Sequence, residues 1–307
     1  MDKAVKVGFL SNQLDNRGTG DALYKYAHYN EEILGNESYI YSFAGGNHDR
    51  EATRRFSDRF QLKVILLPYK IEVDALYHIK SGYDDGFRPD NIPYLVHSVF
   101  DNQPHGTVYA TVSPWMGERF SLPYVPHIVE LADTNENLRE RLGIHKDGIV
   151  FGRHGGPDSF DIDFVKEEIK YYLETTPNVY FLFLNTDKFI EHPHVIHLPA
   201  TVDPINKRKF INTCDAMIHA RSRGETFGLS VGEFAVAGKP IITYSESHEK
   251  AHLYELGQFA LTYKNGKELI TQMDKIVAGP LLTWGYGNYT PYKVMTKFDE
   301  VFLSCVK

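Results

Sequence analysis

The amino-acid sequence predicts an α/β protein made of two Rossmann-like, parallel-sheet domains. Three observations carry the prediction. Short apolar runs rich in β-branched and aromatic residues alternate with stretches of helical periodicity along the whole chain. Such alternation favours parallel sheets with helices on both faces. About a dozen strands are too many for one doubly wound sheet of usual size, and 307 residues suffice for two compact domains.

The first half reads as strands near Val5–Leu10, Ser38–Phe43, Lys63–Leu67, Tyr94–Val99 and Thr107–Val112, with helices over Asp21–Leu34 and Asp49–Phe60. Pro123 and Pro126 then break the pattern, which puts a join near Pro123–Asp133, and a new helix is expected from Asn135. The second half repeats the logic. Its strands fall near Ile149–Gly152, Val179–Leu184, Val195–Leu198, Ala216–His219, Pro240–Tyr244 and Phe259–Thr262. Its helices fall near Phe164–Glu174, Pro204–Thr213, Phe227–Ala237 and Lys267–Val277, and Tyr289–Val306 reads as a last helix folding back on the first domain. The expected division is 1–128, 129–285 and a C-terminal helix in 286–307. Two such domains facing each other are expected to leave a cleft at the carboxyl ends of their strands, where α/β proteins bind ligands.

Composition narrows the functions. Hydrophobic residues make up 42% and charged residues 24%, an ordinary globular balance. A formal charge of −7 argues against a nucleic-acid partner, which needs a basic face to displace counterions. Lys207-Arg208-Lys209 reads as a solvated helix face. Cys214 and Cys305 lie far apart in apolar settings and read as small hydrophobes in a reducing compartment. No segment has the length of a membrane span and Met1 leads directly into a strand, so the expected location is the cytoplasm, with no integral membrane segment.

The most informative stretch runs from Ile218 to Ile242. A strand ends near Ala220, a polar loop containing Gly224 follows, a helix begins at Thr226–Phe227, and Gly238 closes it before Pro240. The backbone N–H groups of Phe227, Gly228 and Leu229 would form an anion site at the positive end of the helix, where Gly228 lets a phosphate approach. Glu225 and Glu233 bracket that site. A carboxylate at the Glu233 position suits the paired hydroxyls of a ribose. The plainer reading makes Glu225 a partner of the helix dipole and Glu233 a solvated position, although the apolar neighbours Val231, Phe234, Ala235 and Val236 speak against exposure.

The segment from Glu225 through Phe227-Gly228-Leu229 and Glu233 to Lys239-Pro240 resembles the E-x7-E segment of family-four, retaining GT-B glycosyltransferases. The likeness extends more faintly over the chain, through Tyr124-Val125-Pro126-His127 and Leu138–Gly143. It implies a GT-B fold and a metal-independent transfer of a hexosyl or pentosyl group. The donor it implies is a nucleotide-diphosphate sugar, UDP- or GDP-linked, acting as co-substrate with no further cofactor, and the implied acceptor is a glycan or other hydroxyl compound. By the same resemblance Thr226, Phe227, Gly228, Leu229 and Glu233 bind the donor and Glu225 orients the transferred sugar. Phe151-Gly152-Arg153 matches a Gly-Arg pair whose arginine holds donor phosphate, a task suited to a planar fork of donors. The lysine usual soon after that arginine is replaced by His154-Gly155-Gly156-Pro157-Asp158, leaving Arg221, Arg223 or Lys207 to meet the remaining charge.

In the first domain, Asn16–Asp21 resembles the glycine loop near donor and acceptor, with Gly18 and Gly20 as candidate donor residues. His97 closes a strand where the family often carries a histidine facing the sugar, although a strand-end histidine is also an ordinary structural residue. His219 reads as a core residue. Asp161-Ile162-Asp163 spells the D-x-D of metal-dependent transferases, but its place at a helix start is better explained by capping. Asp84-Asp85-Gly86 reads as a turn and Glu191–His194 as a loop, so no metal site is expected. Rival readings are a non-catalytic two-domain sugar- or nucleotide-binding protein, a dead scaffold, an inverting transferase and a nucleotide-sugar epimerase.

Overall fold

The computed structural model describes residues 4–15, 17–65 and 70–306. Its internal contacts divide the chain into two compact units, Met1–Ile128 with Tyr289–Lys307, and Val129–Asn288.

Unit 1 contains strands β1 (Lys6–Ser11), β2 (Glu37–Phe43), β3 (Gln61–Ile65), β4 (Ala75–Lys80), β5 (Tyr94–Ser98) and β6 (Val108–Thr111). They form one sheet in the order β3-β2-β1-β4-β5-β6, with every pair parallel. Helices α1 (Gly18–Glu32) and α2 (Arg50–Arg59) connect β1 to β2 and β2 to β3, and α3 (Pro114–Phe120) follows β6. The predicted third strand is present as β3, and its expected extension to Leu67 lies outside the described residues. β4 was not predicted. Its sequence Ala-Leu-Tyr-His-Ile-Lys puts His78 and Lys80 where a buried strand normally carries apolar residues, yet all six residues are buried. Tertiary partners make that tolerable: His78 Nδ1 lies 2.7 Å from the Tyr94 hydroxyl, its Nε2 lies 3.0 Å from Asn12 Oδ1, and Lys80 Nζ lies 2.7 Å from Asp85.

Helix α9 (Pro291–Phe298) and the π-helical turn Asp299–Leu303 complete unit 1. Phe298 and Phe302 are fully buried among Phe9, Tyr26, Tyr77 and His97. Burying one such ring contributes about 1.5–3 kcal/mol.

Unit 2 contains β7 (Ile149–His154), β8 (Val179–Leu184), β9 (Val195–Leu198), β10 (Ala216–His219), β12 (Ile241–Tyr244) and β14 (Ala260–Tyr263) in the order β14-β12-β10-β7-β8-β9. All of these pairs are parallel as well. Helices α4 (Asp163–Thr175), α5 (Pro204–Thr213), α6 (Leu229–Val236) and α7 (Ala251–Leu256) lie in their connections, and α8 (Gly266–Ala278) follows β14. A separate two-stranded parallel ladder joins β11 (Gly224–Glu225) to β13 (Glu249–Lys250). The expected fold class, two Rossmann-like parallel sheets, is what the chain adopts.

The helix expected from Asn135 is absent; Leu138–Gly143 forms turns instead. There the Arg139 guanidinium donates to Thr213 O, Gly148 O and Asp215 Oδ2. Those tertiary bonds hold the segment in place without a helical ladder. Among the described residues no helix is long and apolar enough to cross a membrane.

Candidate functional site

In a doubly wound sheet, ligands bind where the strand order reverses, outside the carboxyl ends of the strands. In unit 2 that point lies between β7, which ends in Arg153-His154, and β10, which ends in His219. The segment predicted to be informative starts there.

Three attachments fix the loop after β10. Ser222 donates to Asp161 from both its N–H and its hydroxyl, each at 2.7 Å. The Ser247 hydroxyl donates to Arg221 O at 3.0 Å. β11 pairs with β13, and the Glu249 N–H donates to Arg223 O at 2.7 Å. Gly224 has φ +76°, and a Cβ there would stand 2.0 Å from Glu249 O, so the ladder requires glycine. Asp161 therefore anchors this loop instead of capping α4, whose first residue Asp163 pairs with Lys166.

Glu225 is held from two sides. His219 Nε2 stands 3.2 Å from Oε1 and Arg221 donates to Oε2 at 3.0 Å. Because a carboxylate only accepts, Nε2 carries a proton. The Thr243 hydroxyl, 2.9 Å from Nδ1, fixes the other side of the ring. Burial alone would raise the Glu225 pKa, but the charge of Arg221 and the His219 hydrogen bond override it and hold the carboxyl at about 2. The side chain keeps 17% exposure, so an ionised acceptor reaches the surface here. His219 is thus buried, as expected, and also orients Glu225. The six-residue spacing gave no hint of that pairing.

Helix α6 begins at Leu229, two residues later than expected. Gly228 is its N-cap with φ +86° and ψ +57°. A Cβ on Gly228 would meet the Tyr286 hydroxyl at 2.9 Å and the Cβ atoms of Glu225 and His252 at 3.3 Å. The glycine thus makes room for protein neighbours, a reason different from the expected approach of a phosphate. Thr226 and Phe227 are buried. The Tyr286 hydroxyl donates to Phe227 O at 2.6 Å, and its ring packs edge-on against Phe227. The first-turn N–H groups, from Leu229 onward, have no partner within their own helix and carry the positive end of its dipole.

Glu233, one turn further along α6, is completely buried. Lys207 Nζ stands 2.6 Å from Oε1 and His154 Nε2 stands 3.0 Å from Oε2. The His154 ring stacks on Phe234. A solvated Glu233 is excluded. Of the three cations expected to compensate for the missing lysine, Arg221 pairs with Glu225, Lys207 pairs with Glu233, and Arg223 lies exposed at the end of the loop.

Arg153 stands at the end of β7 as expected, but its guanidinium is turned onto the protein. It donates to Asn185 O and the Thr186 hydroxyl through one nitrogen, and to Gly156 O at 2.9 Å and the Ser159 hydroxyl through the other. Burial lowers its pKa to about 10, still cationic at neutral pH. This geometry makes Arg153 a brace of the loop after β7.

The remaining sequence-selected residues lie in unit 1. Gly18 opens α1, and Gly20 packs so tightly that a Cβ would stand 2.2 Å from Asp15 O; Asn16 lies outside the described residues. His97 is fully buried. Its Nδ1 lies 2.6 Å from the Tyr77 hydroxyl. Its Nε2 faces Val125 O at 2.9 Å and Thr111 O at 3.2 Å. Two carbonyls make Nε2 the donor, and burial holds the pKa at about 4. This differs from the expected sugar-facing histidine, because one ring nitrogen is engaged by the Tyr77 hydroxyl and the other by the Val125 and Thr111 carbonyls.

No protein-family model and no curated protein sequence matches the chain. Solved structures do share its fold. HepE of Anabaena, in complex with UDP and glucose, superposes with a TM-score of 0.70 at 12% identity over 98% of this chain and 100% of that one. A TarM variant of S. aureus, in complex with fondaparinux, α-GlcNAc-glycerol and UDP, gives 0.71 at 8% identity over 98% and 100%. A glycosyltransferase of Rickettsia africae gives 0.63 at 13% identity over 96% and 94%. At these identities the likeness is one of fold.

Proposed function

We propose that the protein is a glycosyltransferase that moves a sugar from a UDP- or GDP-linked donor onto a hydroxyl of a glycan or related acceptor, with retention of configuration and without a metal ion. The observation that carries this reading is the ionised Glu225, clamped by His219 and Arg221 at the switch point of unit 2 and adjoining the N-terminus of α6. Carboxylate and helix terminus together suit a ligand with hydroxyls on one side and a diphosphate on the other. The fold shared with sugar-nucleotide complexes of HepE and with TarM supports the same class and favours UDP.

In this mechanism the first-turn amides of α6 face the diphosphate, where negative charge grows as the glycosidic bond breaks. Glu225 accepts hydrogen bonds from hydroxyls of the transferred sugar and fixes the anomeric carbon against the acceptor. The bond from that carbon to the phosphate oxygen breaks, the acceptor oxygen bonds to the same carbon, and the acceptor proton passes to the leaving phosphate. Glu233 takes the ribose hydroxyls, which requires Lys207 to swing aside. Arg153 acts on the donor only by holding the loop after β7.

The test is a panel of UDP- and GDP-sugars incubated with the protein in the presence of EDTA, with nucleoside diphosphate release and thermal shift measured together. Release and shift with one nucleotide family, and loss of release in Glu225→Gln, support the reading. A shift without release in the presence of any acceptor points to a binding protein. The absence of both shift and release with every donor tested refutes the proposal.

A further inference from the structure

His252, the second residue of α7, has its side chain completely buried. Neither ring nitrogen has a hydrogen-bond partner among the described residues. Buried polar groups are normally satisfied, so an orphaned pair calls for a physical reason. The position supplies one. The His252 Cβ is one of the three atoms that crowd the N-cap Gly228. The ring lies 4.8 Å, centroid to centroid, from that of His219, the residue that orients Glu225.

We infer that His252 is a donor-binding residue whose ring N–H bonds an oxygen of the diphosphate seated at the N-terminus of α6. This rests on the transferase reading above and adds to it a residue that the sequence motif does not contain. Burial, reinforced by the positive charges of His219, Arg221 and Lys250 against the one opposing charge of Glu225, holds the His252 pKa at about 3. The ring is therefore neutral, with one N–H to give. A hydrogen-bond donor beside the positive end of a helix matches an anion better than a hydroxyl, and Glu225 already serves hydroxyls. The ring is covered when no ligand is present, so contact requires a side-chain rotation towards Gly228.

The experiment compares wild type, His252→Leu and His252→Gln for binding of UDP, or GDP where wild type prefers it, and of the parent nucleoside, by calorimetry. The expected result for His252→Leu is diphosphate affinity about tenfold weaker, nucleoside affinity unchanged and thermal midpoint equal or higher, since two orphaned nitrogens are gone. His252→Gln, which restores an N–H, recovers most of the diphosphate affinity. Wild-type diphosphate affinity in the leucine variant, or equal losses for diphosphate and nucleoside, overturns the inference alone. Absence of nucleotide binding by wild type overturns the transferase reading and this inference with it. Should the leucine variant not fold, histidine-ring ¹⁵N spectra of wild type decide. UDP or GDP must shift the resonance that His252→Gln removes and the nucleoside must leave it in place; no shift overturns the inference.

Discussion

Replacing Glu225 with glutamine removes a charge that the fold has been built around, and the structure sets the size of the effect. Folding takes the carboxyl from an ordinary value of 4.5 to about 2. At about 1.4 kcal/mol per pKa unit, the ionised form favours the folded state by roughly 3 kcal/mol at neutral pH. The side chain is mostly covered, so solvent screening removes little of this. Because the folded-state pKa is the lower one, this stabilisation is complete above pH 4.5 and fades as pH falls towards 2. The assay is the thermal midpoint of unit 2 in wild type and Glu225→Gln, measured from pH 7 down to about 3.5. For a unit of this size, 3 kcal/mol corresponds to about 6–12 °C. The gap should be constant from pH 7 to about 5 and narrow below 4.5. A gap of a degree or two at pH 7, or one independent of pH, refutes the electrostatic account of Glu225.

Three further outcomes are expected. Gly224→Ala forces a Cβ against Glu249 O at positive φ, which should cost about 2 kcal/mol or more and, under the proposed function, lower sugar transfer by freeing the β11–β13 ladder, read by calorimetry and product formation. His97→Leu leaves the donor binding proposed for unit 2 unchanged while lowering the midpoint of unit 1, because the buried donor and acceptor groups that faced its ring lose their partner at about 1–3 kcal/mol each. Lys207→Met removes the ammonium that stands 2.6 Å from the buried Glu233 carboxylate and should destabilise unit 2 by about 3–5 kcal/mol, read by chemical denaturation at pH 7.

Elements whose signals are local were legible in the sequence. α5 spans Pro204–Thr213 as predicted, because Asp203 caps the Ile205 N–H and Pro204 occupies the first turn. β8, β9 and β10 likewise follow from their apolar runs. What remained hidden depends on distant partners. β4 carries a histidine and a lysine that only Tyr94, Asn12 and Asp85 make compatible with burial. α6 starts late because Gly228, pressed by Tyr286 from 58 positions further along the sequence, takes a left-handed conformation that no helix continues through. The loop, helix and carboxylates of the candidate site could be read from Ile218–Ile242. The histidines that surround it, His154, His219 and His252, come from three separate elements and are joined only by the sheet order.

The return of Tyr289–Lys307 to unit 1 sets a schedule for synthesis. Unit 2 is one continuous stretch, whereas unit 1 lacks Phe298 and Phe302 until roughly 160 further residues have been made. At about 5–20 residues per second, that is a wait of about 8–30 seconds during which Phe9, Tyr26 and Tyr77 lack their covering rings. The second unit can finish first, and the first must be kept from aggregation until the chain comes back to close it.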